Sequence, residues 1–169
     1  MSQLILIVEA CSTSRSDYLY LKSVLDHLYD SSEHKFSPIY AGSKTRLVDQ
    51  GKKIEEFSRR AHSKESQVFL CADFDYESDP SNKAIQKYAE SHGYEIIWMN
   101  RDIEEVFLGK RIPSKQKKQE AERFLRNPAK ALESNDRLSI DSPLKAHPSS
   151  NILCVFDRYL HRRRAENNL

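Results

Sequence analysis

Runs of apolar residues alternate along the chain with segments whose apolar positions recur at helical spacing. The segments QLILIVEA (3–10), SQVFLCADFD (66–75) and YEIIWMN (94–100) are almost continuously apolar, which is typical of strands buried on both faces. FSPIYAG (36–42) indicates a weaker strand, and Pro38 favours an edge position because it cannot donate a backbone hydrogen bond. The pattern therefore predicts four strands.

Helical patterns separate these strands. STSRSDYLYLKSVLDHLY (12–29) carries an apolar stripe, and Ser14 with Asp17 three residues later resembles a capping box. Further helices are predicted over 45–62, from Ser81 to about His92, and from the segment RDIEEVFLG (101–109). Strand and helix alternate at spacings that require right-handed crossovers. We therefore predict an α/β, Rossmann-like fold with a mostly parallel four-stranded sheet and helices on both faces.

The pattern changes after Gly109. The following segment is polar and broken by four prolines, which predicts short helices. NILCVFDRYLHRRRA (151–165) then predicts a last amphipathic helix that docks on the body. These features divide the chain into a domain at 1–109 and a basic helical extension at 110–169 that packs on it.

Charge is divided in the same way. Residues 1–109 hold 13 Lys and Arg against 18 Asp and Glu, whereas residues 110–169 hold 14 against 7. An acidic body beside a basic segment suits a metal site next to a phosphate-binding surface, although solvated helical faces would give the same totals.

Composition narrows the class of protein. Hydrophobic residues make up 38% of the chain and charged residues 31%, with a mean hydropathy of −0.71, which is polar for a globular protein. No apolar run is long enough for a membrane span, and no secretion signal is visible. Three widely spaced cysteines, Cys11, Cys71 and Cys154, indicate neither a disulfide framework nor a zinc site. We expect a cytoplasmic protein without membrane association, and no oligomeric state is predicted.

Carboxylates cluster at the ends of the first and third predicted strands. Glu9 closes the first strand, and Asp73, Asp75 and Glu77 occupy every second position after the third. A surface turn would explain the latter group, because Asp and Ser are ordinary turn formers. If strands one and three are neighbours, however, their carboxyl ends bring these acids to one crevice, where ligands of open parallel sheets bind. Four carboxylates would repel one another there without a cation, and oxygen ligands favour Mg²⁺ or Mn²⁺.

This ordered set resembles the Toprim domain of topoisomerases, primases, and OLD-type and RloB-like nucleases. The resemblance covers roughly residues 3–109 and depends on Glu9 and on the motif Asp73-Phe74-Asp75-Tyr76-Glu77. The segment NRDIEEVFLG (100–109) is similar to the stretch after the fourth strand in the RloB and OLD groups, with Glu104 as the best-matched acid. The chain departs from the family at Ala10, where a glycine usually follows the first Glu.

The resemblance implies a metal-dependent nuclease with the small size of toxin or antiviral defence effectors. Glu9, Asp73 and Asp75 would be catalytic, with Glu9 as general acid and base. Together with Glu77 and Glu104 they would hold Mg²⁺ or Mn²⁺. An ATPase or defence partner would be encoded separately.

Nucleic acid, DNA or RNA, is the expected substrate. Its backbone would be held by basic residues of the extension, because phosphate contacts come mainly from Lys and Arg. These residues are Lys110, Arg111, Lys117, Lys118, Arg162, Arg163 and Arg164. The alternative is a protein that keeps the fold, has lost the chemistry, and binds nucleic acid or a partner in a regulatory role.

Two other motifs have simpler interpretations. AGSKT (41–45) resembles the end of a phosphate-binding loop, but Ser43 replaces the Gly that should precede the Lys. We interpret it as a turn and helix cap, and predict no ATPase activity in this chain. Cys11 lies beside Glu9 without a His near it in sequence, so we expect a buried or half-buried, inert thiol.

Overall fold

The computed structural model describes residues 2–61, 65–128, 132, 136–141 and 147–163. Its strands and helices follow one another in the alternating order that the apolar pattern predicts. The elements are β1 (Ser2–Val8), α1 (Ser16–Leu28), β2 (His34–Tyr40), a 3₁₀ helix (Lys44–Asp49), α2 (Gly51–Arg60), β3 (Ser66–Asp73), α3 (Pro80–His92), β4 (Glu95–Asn100), α4 (Ile103–Leu108), a 3₁₀ helix (Ser114–Gln116), α5 (Lys117–Arg126), a 3₁₀ helix (Asp136–Leu138), β5 (Ser149–Ser150) and α6 (Ile152–Phe156).

The sheet has the strand order β2-β1-β3-β4-β5. The first four strands are parallel, and β1 lies between β2 and β3, so the predicted adjacency of the first and third strands is confirmed. The prediction of only four strands is wrong. A short antiparallel strand, β5, pairs Ser150 with Met99 and Ser149 with Asn100, and two serines give no apolar signal in the sequence.

Both faces of the sheet are covered, as the apolar runs predict. Alternate residues of a strand point to opposite faces, so Leu4 and Leu6 of β1 belong to one buried cluster and Ile5 and Ile7 to another. Helices α1, α4, α5 and α6 contribute to the first cluster, and α2 and α3 to the second. This arrangement leaves the carboxyl ends of β1 and β3 at the same edge of the sheet.

The extension after Gly109 shares the core of the body. Tyr20 of α1 lies 5.2 Å from Phe124 of α5 between ring centroids, and Phe156 of α6 lies 5.6 Å from Phe69 of β3. The boundary between 1–109 and 110–169 stays a prediction. Within the residues described, no helix combines the length and the apolar character needed to cross a membrane.

Two predicted helices are shorter than expected. The helix predicted over 45–62 is a 3₁₀ helix (Lys44–Asp49) followed by α2, and residue 62 lies outside the described residues. The last helix, predicted over 151–165, ends at Phe156. Beyond it the chain turns back to the end of α1, where Arg162 forms an antiparallel bridge with Tyr29. Contacts of this segment with the end of α1 take the place of the hydrogen bonds that a helix continuing to residue 165 would make.

Candidate metal centre

Two acids meet at the carboxyl edge of the sheet. Glu9 directly follows β1, and Asp73 is the last residue of β3, the strand paired with it. The Oε1 atom of Glu9 accepts a hydrogen bond from the backbone N–H of Asp73, with 2.8 Å between oxygen and nitrogen. The parallel pairing of β1 and β3 therefore brings together the first acid of the predicted set and the first acid of the DxDxE motif.

Burial and mutual repulsion change the protonation of both acids. Burial raises the pKa of Glu9 to about 7, against the lowering effect of the hydrogen bond from Asp73, and the charges of Asp17 and Asp75 raise it further. The pKa of Asp73 is raised well above its usual range by burial and then by the charges of Glu9, Asp17 and Asp102. These carboxylates are therefore electrostatically strained as anions, and a nearby cation would relieve that strain.

Asp17 and Asp102 are acids that the sequence did not assign to the site. Asp17 does not close a capping box with Ser14. Its Oδ2 accepts a hydrogen bond from the backbone N–H of Ala10 at 2.8 Å, and burial raises its pKa. Asp102 follows β4 and caps α4 by accepting a hydrogen bond from the N–H of Glu105. The signal that could have found them is their place at the start of the helices that follow β1 and β4, at the same sheet edge. We call the five acids of this edge the carboxylate cluster: Glu9, Asp17, Asp73, Asp75 and Asp102.

The remaining acids of the DxDxE motif lie at the rim. The side chain of Asp75 is 51% exposed. Glu77 is exposed in the turn that follows, and it is not one of the main acids that raise the pKa of Glu9 or Asp73. The structure therefore brings Asp75 to the cluster and leaves Glu77 at the surface of the loop.

Lys44 reaches the cluster from the far side of β1. Its Nζ lies 3.2 Å from Oδ2 of Asp75 and 2.7 Å from Oδ2 of Asp79, and its charge lowers the pKa of Glu9. Gly42, with φ of 85°, turns the chain before the 3₁₀ helix that carries Lys44. The segment AGSKT turns the chain into the 3₁₀ helix, as predicted, although Ser43 at the start of that helix makes no capping hydrogen bond with its side chain. Its lysine contacts the cluster, which the sequence interpretation missed.

Glu104 and Lys117 form a second ion pair behind the cluster. Glu104 is fully buried, and its Oε2 accepts a hydrogen bond from Nζ of Lys117 at 3.0 Å, while Oε1 has no partner among the described residues. Burial raises the pKa of Glu104 although Lys117 opposes the shift. Lys117 also lies 4.0 Å from Oδ2 of Asp102. Lys117 therefore faces the acids, and the side chain of Glu104 is already engaged by a lysine.

The donor chemistry of this edge fits a hard divalent cation. The donors are carboxylate oxygens without Cys or His, which Mg²⁺ and Mn²⁺ prefer, and the half-buried Asp73 lacks a directly bonded cation among the contacts described. Among the described residues, however, no three His, Cys, Asp or Glu side chains converge as a formed metal site. The cluster therefore has the donor atoms and the negative charge that a divalent cation requires. Glu9, Asp73 and Asp75 are the acids of the cluster that the sequence analysis assigned to the metal.

The backbone conformation at Ala10 does not require glycine. Among the described residues, only Arg15 and Arg101 are non-glycine residues with positive φ, so Ala10 has an ordinary backbone conformation. Cys11 is exposed, and hydrogen bonds from Thr13 and Ser14 lower the pKa of its thiol to about 7. The expectation of a buried or half-buried thiol at this position is wrong, because the loop carries Cys11 away from the core; that the thiol is inert stays a prediction.

The basic residues of the extension have different environments. Arg162 forms two hydrogen bonds with Asp157, at 2.8 and 2.7 Å, and Nε of Arg163 donates to the carbonyl of Tyr29 at 2.9 Å. Nε of Arg111 lies 3.6 Å from Oε1 of Glu105. Lys110 and Lys118 are exposed, and Arg164 lies outside the described residues.

Comparison with known proteins assigns no relative to this chain. No protein-family model, no curated protein and no solved structure matches it. The functional interpretation therefore depends on the carboxylate cluster and on the two lysines, Lys44 and Lys117, that flank it.

Proposed function

We propose that this chain is a divalent-metal-dependent nuclease of Toprim type that cleaves phosphodiester bonds, in the role of a toxin or antiviral defence effector. The observation that supports the proposal best is the contact between Glu9 and Asp73 at the ends of two adjacent parallel strands. It gathers half-buried carboxylates where open parallel sheets bind their ligands, and neighbouring acids with strongly raised pKa values are typical of functional sites.

Glu9, Asp73 and Asp75 are the residues that would hold Mg²⁺ or Mn²⁺. When bound, such an ion would polarise the scissile phosphate and stabilise charge on the attacking or leaving oxygen. Glu9 can transfer a proton near neutral pH, because its pKa of about 7 lies close to the working pH at which general acids and bases are most effective.

The flanking lysines supply positive charge to the same edge. Lys44 approaches from the β2 side and Lys117 from the β4 side, so the cluster lies between them. Lysine is a common phosphate ligand in proteins. A nucleic-acid backbone crossing this edge would meet one cation on each side of the acids, which orients the phosphodiester over Glu9 and Asp73.

A second candidate function follows from the same lysines. Lys44 and Lys117 already neutralise part of the cluster, and no three acids converge as a metal site among the described residues. This arrangement favours a protein that has kept the fold and lost catalysis, and that binds nucleic acid or a partner protein in a regulatory role. Retention of five repelling acids favours the nuclease.

A cleavage assay separates the two functions. Single- and double-stranded DNA and RNA are incubated with Mg²⁺, Mn²⁺ or a chelator, using wild type, Glu9→Gln and Asp73→Asn. A nuclease requires metal-dependent cleavage by wild type and its loss in both variants. The matched control is Glu33→Gln, an exposed acid before β2 at the opposite edge of the sheet, which should keep full activity. Equal cleavage by wild type and Glu9→Gln would reveal a contaminating enzyme, and absence of cleavage by wild type would favour the binding function.

A further inference from the structure

Tyr76 presents an aromatic ring to solvent next to the carboxylate cluster. Tyr76 directly follows Asp75 in the chain, and it is 59% exposed. Among the described residues, Ile140 is the only other large hydrophobic residue with comparable exposure, at 39%. Because burial of a tyrosine ring is favourable, an exposed ring beside a site is available to gain free energy by contact with a ligand.

The backbone of Tyr76 is fixed although its ring is exposed. Its carbonyl accepts hydrogen bonds from the N–H of Asp79 at 3.2 Å and from Nδ2 of Asn82 at 3.0 Å. Asn82 is only 3% exposed, so the second bond comes from a buried residue of α3. Hydrogen bonds within the protein therefore fix the carbonyl of Tyr76, while its side chain is exposed to solvent.

The rest of the loop is clamped on both sides of Tyr76. On the amino side, Phe74 is buried against Trp98, with 5.4 Å between ring centroids. Lys44 joins Asp75 on the amino side to Asp79 on the carboxyl side, and Asp79 caps α3 by accepting a hydrogen bond from the N–H of Ser81. A ligand that contacts Tyr76 therefore meets a ring carried on a held backbone, and little ordering of the loop opposes binding.

We propose that Tyr76 is a stacking platform for an unpaired nucleobase, and that the substrate class is single-stranded or locally unpaired nucleic acid. The inference rests on the proposed nuclease function. Tyr76 directly follows Asp75 in the chain, so a nucleotide stacked on its ring would lie beside a residue of the carboxylate cluster. A duplex offers no free base face at that position, because its bases are already stacked on one another. Stacking on an aromatic side chain accepts any base, and it strengthens binding about 5- to 150-fold for each base.

Binding without cleavage tests this platform. The Glu9→Gln protein and its Tyr76 variants are titrated, in Mg²⁺, into a short single-stranded DNA that carries a fluorescent adenine analogue, and into the matching duplex. Tyr76→Ala and Tyr76→Leu should bind the single strand about 5-fold or more weakly and lose the fluorescence change of a stacked base. Tyr76→Phe should bind like the parent protein, because it keeps the ring. Duplex affinity should be the same for all variants.

The matched control is Ile140→Ala, which removes an exposed apolar side chain without touching the loop and should leave both affinities unchanged. Unfolding curves check that each variant is folded. Single-strand affinity in Tyr76→Ala equal to that of the parent protein, or loss of affinity in Tyr76→Phe, would overturn the stacking platform. The nuclease proposal would survive that result if Glu9→Gln still abolishes cleavage. If wild type neither binds nor cleaves any nucleic acid, the nuclease proposal fails, and the stacking platform fails with it.

Discussion

The carboxylate of Glu9 accepts a hydrogen bond from the backbone N–H of Asp73, with 2.8 Å between the two atoms. The bond joins the ends of two strands across 64 residues of sequence. It stabilises the charged form of Glu9, yet burial dominates and raises the pKa of that side chain to about 7. Folding therefore changes the protonation of Glu9, and the stability of the protein must depend on pH.

The free energy of unfolding should fall between about pH 4.5 and pH 7 in the presence of a chelator. Glu9 has a pKa of about 7 in the folded protein and 4.5 without burial, so in this interval the folded protein binds more protons than the unfolded chain. The stabilisation that Glu9 contributes is therefore fully present below its unfolded-state pKa of 4.5. It is lost as the pH rises towards its folded-state pKa of about 7. The contribution of this group is on the order of 3 kcal/mol, measured by urea denaturation across the interval.

Glu9→Gln should flatten that pH dependence, because glutamine does not titrate and its side-chain oxygen can still accept the hydrogen bond from Asp73. The raised pKa values of Asp73 and Asp17 leave part of the slope in place. Glu33→Gln, the exposed control, should keep the slope of wild type. A slope in Glu9→Gln equal to that of wild type would show that Glu9 does not titrate between the two values.

The apolar pattern is sufficient to predict the strands that position this pair. A strand that is buried on both faces consists almost entirely of apolar residues, and such a run is easy to recognise in the sequence. The predicted ends of β1, β3 and β4 therefore agree with the structure within a few residues. Adjacency of β1 and β3 requires the chain to cross back past β1 after β2, and the handedness of the crossovers alone does not determine this. By contrast, β5 consists of two serines. They pair with β4 because the extension brings them beside it in the antiparallel direction, and no local sequence pattern predicts this pairing.

The composition of the site is harder to predict than its place. In sequence Asp17 stands three residues after Ser14, which indicates a helix cap, whereas in the fold it accepts the N–H of Ala10. The segment around Lys44 fails as a phosphate loop, so the sequence gives this lysine no role. Its role depends on a reach across β1 to Asp75 and Asp79, which only the tertiary structure defines.

Lys44→Met should destabilise the metal-free protein. The substitution leaves Asp75 and Asp79 without their shared cation, and Asp79 is only 9% exposed. Loss of hydrogen bonds to charged groups costs about 1.5–3 kcal/mol, which urea denaturation in chelator can resolve. The matched control is Lys22→Met, which removes an exposed helix pair with Asp26 and should cost less than about 0.5 kcal/mol. Equal losses in the two variants would mean that Lys44 has no structural role at the cluster.

Mg²⁺ or Mn²⁺ should stabilise the folded protein and not the unfolded chain. At a concentration of about 100 times Kd the gain is roughly 2.7 kcal/mol, which for a chain of this size raises Tm by roughly 5–10 °C. Asp75→Asn should reduce the shift. Asp73→Asn should reduce it as well and raise the metal-free Tm, because it removes a carboxyl group whose charged form is disfavoured by desolvation and by the charges of Glu9 and Asp17. Identical melting curves of wild type with millimolar metal and with chelator would exclude a metal site in the cluster.

The basic residues of the extension should separate into structural and nucleic-acid-binding groups. Arg162 bonds twice to Asp157, which also accepts a hydrogen bond from the hydroxyl of Tyr29 at 2.7 Å. Arg162→Gln should therefore lower Tm. Charge reversal of the exposed Lys110 and Lys118 should leave Tm unchanged and weaken binding to all nucleic-acid sequences alike.

The salt dependence of binding provides the measurement. Removal of one phosphate-binding cation should reduce the slope of log Kd against log salt by about 0.7–0.9, so Lys110→Glu and Lys118→Glu should flatten it together. Tyr76→Ala should weaken single-strand binding without changing the slope, since stacking releases no counterions. If the lysine reversals left both affinity and slope unchanged, the phosphates would have to lie against other cations, and the pair Lys44 and Lys117 at the carboxylate cluster would be the first to test.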